Sequence, residues 1–326
     1  FGSSHSGSSG EAMKGSGFQI HGEDQHLAST SANMGLASAR EGYLPSWRHT
    51  HVLIGLATTL LVVTLVASYS LWLADGCLAF LPFVSDLGLH GTMRPVFAAG
   101  LVATSLPMLA ILPHITVARH RLVRALELPC VWEKANWILT AAGTSVSLAV
   151  GLLGFLPWDR TLYPHLVCAD IIFGGGVVWA LGSCLLARRF AQAAERDTWH
   201  SCPRVRIVQC VVAAACIVDL VSVYCFLGGA YLSSPGLFSW KELPSILRLA
   251  KDDFGSYCTG EEGWHALAWI NLAALGEWLL VAFLAISVVA AASGDVQAHC
   301  VLQRNTAARV RPFLDRSTND IARLPA

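Results

Sequence analysis

Six long apolar blocks, at about 51–74, 95–117, 137–157, 166–187, 207–231 and 264–292, alternate with shorter polar stretches along the 326-residue chain. Each approaches or exceeds the roughly 20 residues an α-helix needs to cross the hydrocarbon core of a bilayer. Lipid offers no hydrogen-bond partner to an exposed peptide group, so such a block satisfies its own backbone by coiling. The pattern predicts an all-α, polytopic membrane protein: a single bundle of six transmembrane helices within residues 47–296. A Gly/Ser-rich tail, 1–46, precedes it and a polar tail, 297–326, follows. The opening "FGSSHSGSSGEAMKGSG" holds too few apolar residues to repay the entropy of ordering and reads as disordered.

Composition sharpens this picture. The chain is 54% hydrophobic and 13% charged, against about 25% charged in an ordinary soluble domain. Formal net charge is zero, so no basic field points to nucleic acid, and no Gly-rich phosphate loop follows a strand pattern. No cofactor is expected; the partners expected are membrane lipids and other membrane proteins. Of the ten cysteines, most lie in or beside the spans, where Cys is a small apolar packing residue. None has metal-ligand spacing, and no metal is expected. Cys77 and Cys258 fall in the two long loops of one side and form a candidate disulfide, if that side is oxidising.

Lys and Arg mark the cytoplasmic side of membrane proteins. They gather before span one (Arg40, Arg48), after span two (Arg119, Arg121, Arg124, Lys134), after span four (Arg188, Arg189, Arg196, Arg204, Arg206) and in the C-terminal tail. The loop from Asp75 to Met93 has neither, and 233–263 has three basic against five acidic residues. Both termini are therefore expected in the cytosol, with the 75–93 and 233–263 loops lumenal or extracellular. Within the latter, "LPSILRLAKDDF" reads as a short amphipathic helix on the membrane surface.

Three acids interrupt the spans: Asp170, Asp219 and Glu277. A charge at the bilayer centre costs about 2.5–3.5 kcal/mol on insertion scales. At 1.5 Å per residue, Asp219 lies ~18 Å along span five and Glu277 ~20 Å along span six, both near mid-membrane. No Lys or Arg sits at that depth, so these carboxyls are expected to turn inward, with Trp278 on a neighbouring face. One reading is a proton- or cation-linked site, or the polar floor of a lipid cavity. The other is a neutral acid hydrogen-bonded between helices. Asp170 sits near enough to the span end to be hydrated or to pair with His165. Small residues at Gly143, Ser147 and Gly151, and the "GGG" at 174–176 read as opening span four, predict close helix packing.

The stretches "FVSDLG" after span one, Asn136 opening span three, "HLVCADIIFG" from His165 and "GEWLLVAF" in span six resemble the damage-regulated autophagy modulator (DRAM)/Frag/Sfk superfamily of six-pass membrane proteins. The resemblance covers about residues 50–296 in the family's order. It implies motif positions at Asp86, His165 and Glu277, with Gly88, Asn271 and Trp278 in or beside the same stretches; Asp219 does not map onto the pattern. It also implies a non-enzymatic protein of lysosomal, endosomal or Golgi membranes, with the plasma membrane as the alternative, acting through lipid or protein partners. The alternatives are a lipid or GPI-anchor remodelling factor and a proton- or ion-coupled transporter built on Asp219 and Glu277.

Overall fold

In the computed structural model, residues 47–79, 81–195, 203–233, 243–259 and 268–321 are described. The N-terminal tail and the first residues of the sixth apolar block lie outside them. Eight α-helices and one 3₁₀ turn occur among the described residues, with no strand. They are α1 (Trp47–Ala74), the 3₁₀ turn (Val84–Gly88), α2 (Met93–Ala125), α3 (Cys130–Leu153), α4 (Leu162–Glu195), α5 (Pro203–Ser233), α6 (Leu243–Asp252), α7 (Phe254–Thr259) and α8 (Ala268–Ile321). Helices α1 to α5 and α8 are long and apolar enough to cross a membrane.

Their order in space follows their order in sequence: α1 packs on α2, α2 on α3, α3 on α4 and α4 on α5. Helix α8 then closes the bundle, touching α1, α2, α4 and α5. Pro107 and Pro113 lie inside α2, where packing against neighbouring helices can re-satisfy the freed carbonyls. That helix ends where Glu127 enters the left-handed region (φ 50°). There the Leu128 N–H turns back to the Val123 carbonyl at 2.9 Å, and Pro129 precedes the first turn of α3. Because α2 runs to Ala125, Arg119 is a helical residue and not a loop residue as its charge suggested; it is 2% exposed.

Glycines let the helices approach. A Cβ on Gly154 would lie 2.8 Å from the Ala98 Cα, and one on Gly143 would lie 2.7 Å from a Leu112 methyl. Ser147 is buried and its hydroxyl returns to the Gly143 carbonyl at 2.8 Å. The triple glycine occupies the middle of α4 instead of its start, since α4 already begins at Leu162.

At one end, the 3₁₀ turn, α6 and α7 form a cap. Trp72, Leu87, Leu89, Met93, Phe97, Trp158, Phe254 and Tyr257 make its buried core. Helix α6 does not offer its apolar side to lipid, as its amphipathic pattern suggested. Ile246 and Ala250 on that side are buried in the cap core, which supplies the apolar surface a bilayer would otherwise have supplied.

Candidate functional site: the cap and the cavity beneath it

Two loops far apart in sequence are tied together at the cap. Cys77 and Cys258 form a disulfide that spans 181 residues, and the Leu78 N–H donates to the Cys258 carbonyl at 3.0 Å. Tyr69 and Trp72, both on α1, donate to the carbonyls of Ala79 (2.6 Å) and Leu78 (2.8 Å). The loop after α1 is thereby held down on the helix it leaves.

Asp86 is the hub of the cap and is 1% exposed. Its Oδ1 accepts from the Trp158 indole at 3.0 Å and from the Tyr257 hydroxyl at 3.1 Å. Its Oδ2 accepts from the Phe83 N–H at 3.1 Å, closing the 3₁₀ turn on itself. A buried carboxyl is tolerated when its oxygens are occupied in this way. Burial, reinforced by the neighbouring Asp86, holds the Tyr257 phenol well above its ordinary value, so it stays a donor. Gly88 follows because the next helix leaves no room for a side chain: a Cβ there would meet the Phe97 ring at 2.7 Å.

Glu277 and Trp278, on α8, both reach this cap. The Val84 N–H donates to the Glu277 Oε2 at 2.6 Å, and the Trp278 indole donates to the Pro82 carbonyl at 2.8 Å while its ring meets Tyr69 edge-on at 6.2 Å. The two side chains, on neighbouring faces of α8, thus grip one segment. Glu277 is also not stranded in mid-bundle, because the 3₁₀ turn reaches down far enough to offer it a backbone donor. Asp219 is elsewhere. It lies on α5 opposite Gly276, where an added Cβ would be 3.8 Å from its Oδ1. Its buried Oδ2 has no hydrogen-bond partner among the described residues, and no bond joins it to Glu277. Asn271 lies on α8 six residues ahead of Glu277.

Below the cap an apolar cavity of about 160 Å³ runs down the bundle between α1, α2, α3, α4 and α8. Glu277, His165, Val84 and Ser85 close its capped end, and Ile115, Trp179 and Val288 line its far end. On α4 the distance from His165 to Trp179 is about 21 Å at the helical rise. Between these ends the walls are mostly apolar, with Leu65, Leu101, Ile172 and Leu284 among them and Thr104 and Ser147 as polar exceptions. The His165 Nδ1 meets the Leu156 carbonyl at 2.6 Å. His165 does not pair with Asp170, which is exposed on the outside of the bundle and accepts from the Tyr224 hydroxyl at 3.0 Å.

Past the far end lies a second polar layer. The Arg119 guanidinium stacks over Trp179, 5.4 Å from the ring centre, and donates to the Ser183 hydroxyl at 2.9 Å. Asn136, fully buried, donates to the Thr116 carbonyl at 3.0 Å, and the Thr116 and Thr140 hydroxyls are 2.7 Å apart. No group of three His, Cys, Asp or Glu side chains among the described residues is arranged to hold a metal.

The structure therefore gathers Asp86, Gly88, Glu277, Trp278 and the disulfide at the cap, with His165 beside them at the cavity mouth. Asp170 and Asp219 stand apart. Trp158 and Tyr257, which complete the Asp86 hub, were not singled out from the sequence, although Tyr257 adjoins Cys258 and Trp158 follows a Pro in the short loop between spans three and four. No curated protein and no solved structure matches the chain significantly. The family model that does match, over residues 49–297, takes in all six apolar helices, the cap and the cavity. The chain is an integral multi-pass membrane protein and belongs to the Frag1/DRAM/Sfk1/Cwh43P N-terminal domain family.

Proposed function

We propose that this protein is a non-enzymatic lipid-holding component of the endomembrane system, oriented with both termini in the cytosol and the cap in an oxidising lumen. The observation that carries the reading is the long, largely apolar cavity, with its ionisable groups, Glu277 and His165, at the capped mouth. An apolar cavity is filled most favourably by an apolar ligand, and lipid tails are the apolar molecules surrounding this chain. The disulfide at the cap and the excess of Arg at the other end support the orientation.

The test is lipid retention. The full chain is purified in a mild detergent and its bound lipids are extracted and weighed by mass spectrometry. Near-stoichiometric lipid is expected, lost when Ser147, midway along the cavity, is replaced in Ser147→Phe. A wild-type protein that carries no more lipid than this variant refutes the reading. A tagged copy is expected to follow lysosomal, endosomal or Golgi markers, and its absence from all three would remove the compartment.

A second reading, lipid or GPI-anchor remodelling, draws on the carboxyl of Glu277 and the imidazole of His165, which both line the capped end of the cavity and are able to move protons. Unchanged GPI-anchored proteins on cells lacking the gene would eliminate it. Ion coupling through Asp219 and Glu277 has less in its favour, since the two acids face different neighbours.

A further inference from the structure

We propose that the cavity selects an uncharged lipid with a single apolar body and a terminal hydroxyl, and that the hydroxyl sits between Glu277 and His165. The inference rests on the lipid-holding reading and adds to it the chemistry of the headgroup.

The groups at the cavity mouth set that chemistry. Glu277 commits Oε2 to the Val84 N–H, and its other oxygen has no partner among the described residues. The Leu156 carbonyl only accepts, so the proton of His165 must sit on Nδ1, which leaves Nε2 as a lone-pair acceptor. Both residues line the cavity. A carboxyl buried away from any cation is neutral, so the mouth carries one donor, the Glu277 acid O–H, and one acceptor, the His165 Nε2, which together call for a neutral group that both accepts and donates.

Charge excludes the common alternatives. No Lys or Arg lines the cavity among the described residues, so a carboxylate or phosphate drawn inside would lose its hydration beside another carboxyl with no cation to repay it. An ammonium would be desolvated against a single carboxyl that already serves the cap, a poor exchange for a hydrated ion. A hydroxyl brings no charge and both accepts and donates. A sterol and a single-chain alcohol or monoacylglycerol share this chemistry.

Photoreactive probes decide it on the full chain in detergent. Three alkyl probes, identical except for a hydroxyl, carboxylate or ammonium head, are compared with a hydroxyl-bearing sterol probe, and labelled peptides are mapped. A hydroxyl probe is expected to label the α4 and α8 segments about tenfold more than either charged probe, the worth of one well-placed hydrogen bond. Whether the alkyl or the sterol form labels better identifies the lipid body. Labelling should fall about tenfold in Glu277→Leu and in His165→Phe, and persist in Glu277→Gln, whose amide oxygen keeps the Val84 N–H while its NH2 donates to the hydroxyl in place of the acid O–H. Equal labelling by the carboxylate or ammonium probe overturns the headgroup assignment and leaves lipid holding intact. No cavity labelling by any probe, with no co-purified lipid, overturns both. The head comparison is made on wild-type protein and does not depend on a variant folding.

Discussion

Replacing Asp86 tests whether the cap is a built structure or an incidental loop. The side chain accepts from three donors, the Trp158 indole, the Tyr257 hydroxyl and the Phe83 N–H. Asp86→Ala withdraws all three acceptances at once from a site closed to water. A buried donor deprived of its acceptor costs about 1–3 kcal/mol, so a total of about 3–5 kcal/mol is expected after relaxation. Asp86→Asn keeps one acceptor oxygen for Trp158 and Tyr257 and loses only the Phe83 bond, for about 1–2 kcal/mol. With about 2–4 °C of Tm per kcal/mol in a chain of this size, Ala lowers the midpoint by about 6–20 °C and Asn by about 2–8 °C. Intrinsic tryptophan fluorescence on heating, in one detergent with the disulfide intact, reads both directly. Equal shifts for the two variants, or a drop below about 2 °C for Ala, would refute the hub.

Other outcomes follow from the same geometry. In the triple glycine, Gly174→Ala should be tolerated because nothing lies within 4 Å of the added methyl, whereas Gly154→Ala drives a methyl against the Ala98 backbone and should cost about 1–3 kcal/mol in thermal stability. Cys77→Ser should leave the fold but lower its stability by about 2–4 kcal/mol, and one extra thiol should appear at Cys258 on alkylation. The raised Tyr257 value makes the folded cap keep its phenolic proton longer than the unfolded chain does. Its contribution is full below the unfolded value near 10 and declines as pH climbs above it, a decline absent in Tyr257→Phe.

The spans were legible because lipid imposes one rule on a long stretch of chain, and that rule is written in local composition. The cap was not, because its determinants are distant pairs. Val84 gives Glu277 a backbone N–H, which carries no side-chain signature and lies 193 residues away. Arg119 looked like a cytosolic marker because charge alone does not reveal that Ser183 and the Trp179 ring surround it. The α6 segment was correctly periodic, but periodicity reports only that an apolar side exists, not whether lipid or Phe254 and Tyr257 will cover it. Asp86 and Gly88 were visible as motif positions. Their physical reasons, three converging donors and an encroaching ring, appear only in three dimensions.

Three consecutive residues of α8 answer to three different neighbours: Gly276 to Val223 and Asp219 on α5, Glu277 to Val84, and Trp278 to Pro82 and Tyr69. Successive side chains on a helix are about 100° apart, so these contacts fix the rotational phase of α8 as three pins fix an axle. A twist of the last span cannot favour one of them without loosening another. Any signal that turns α8 from its long extension toward Ile321 would be felt at the cap and along α5 in the same motion.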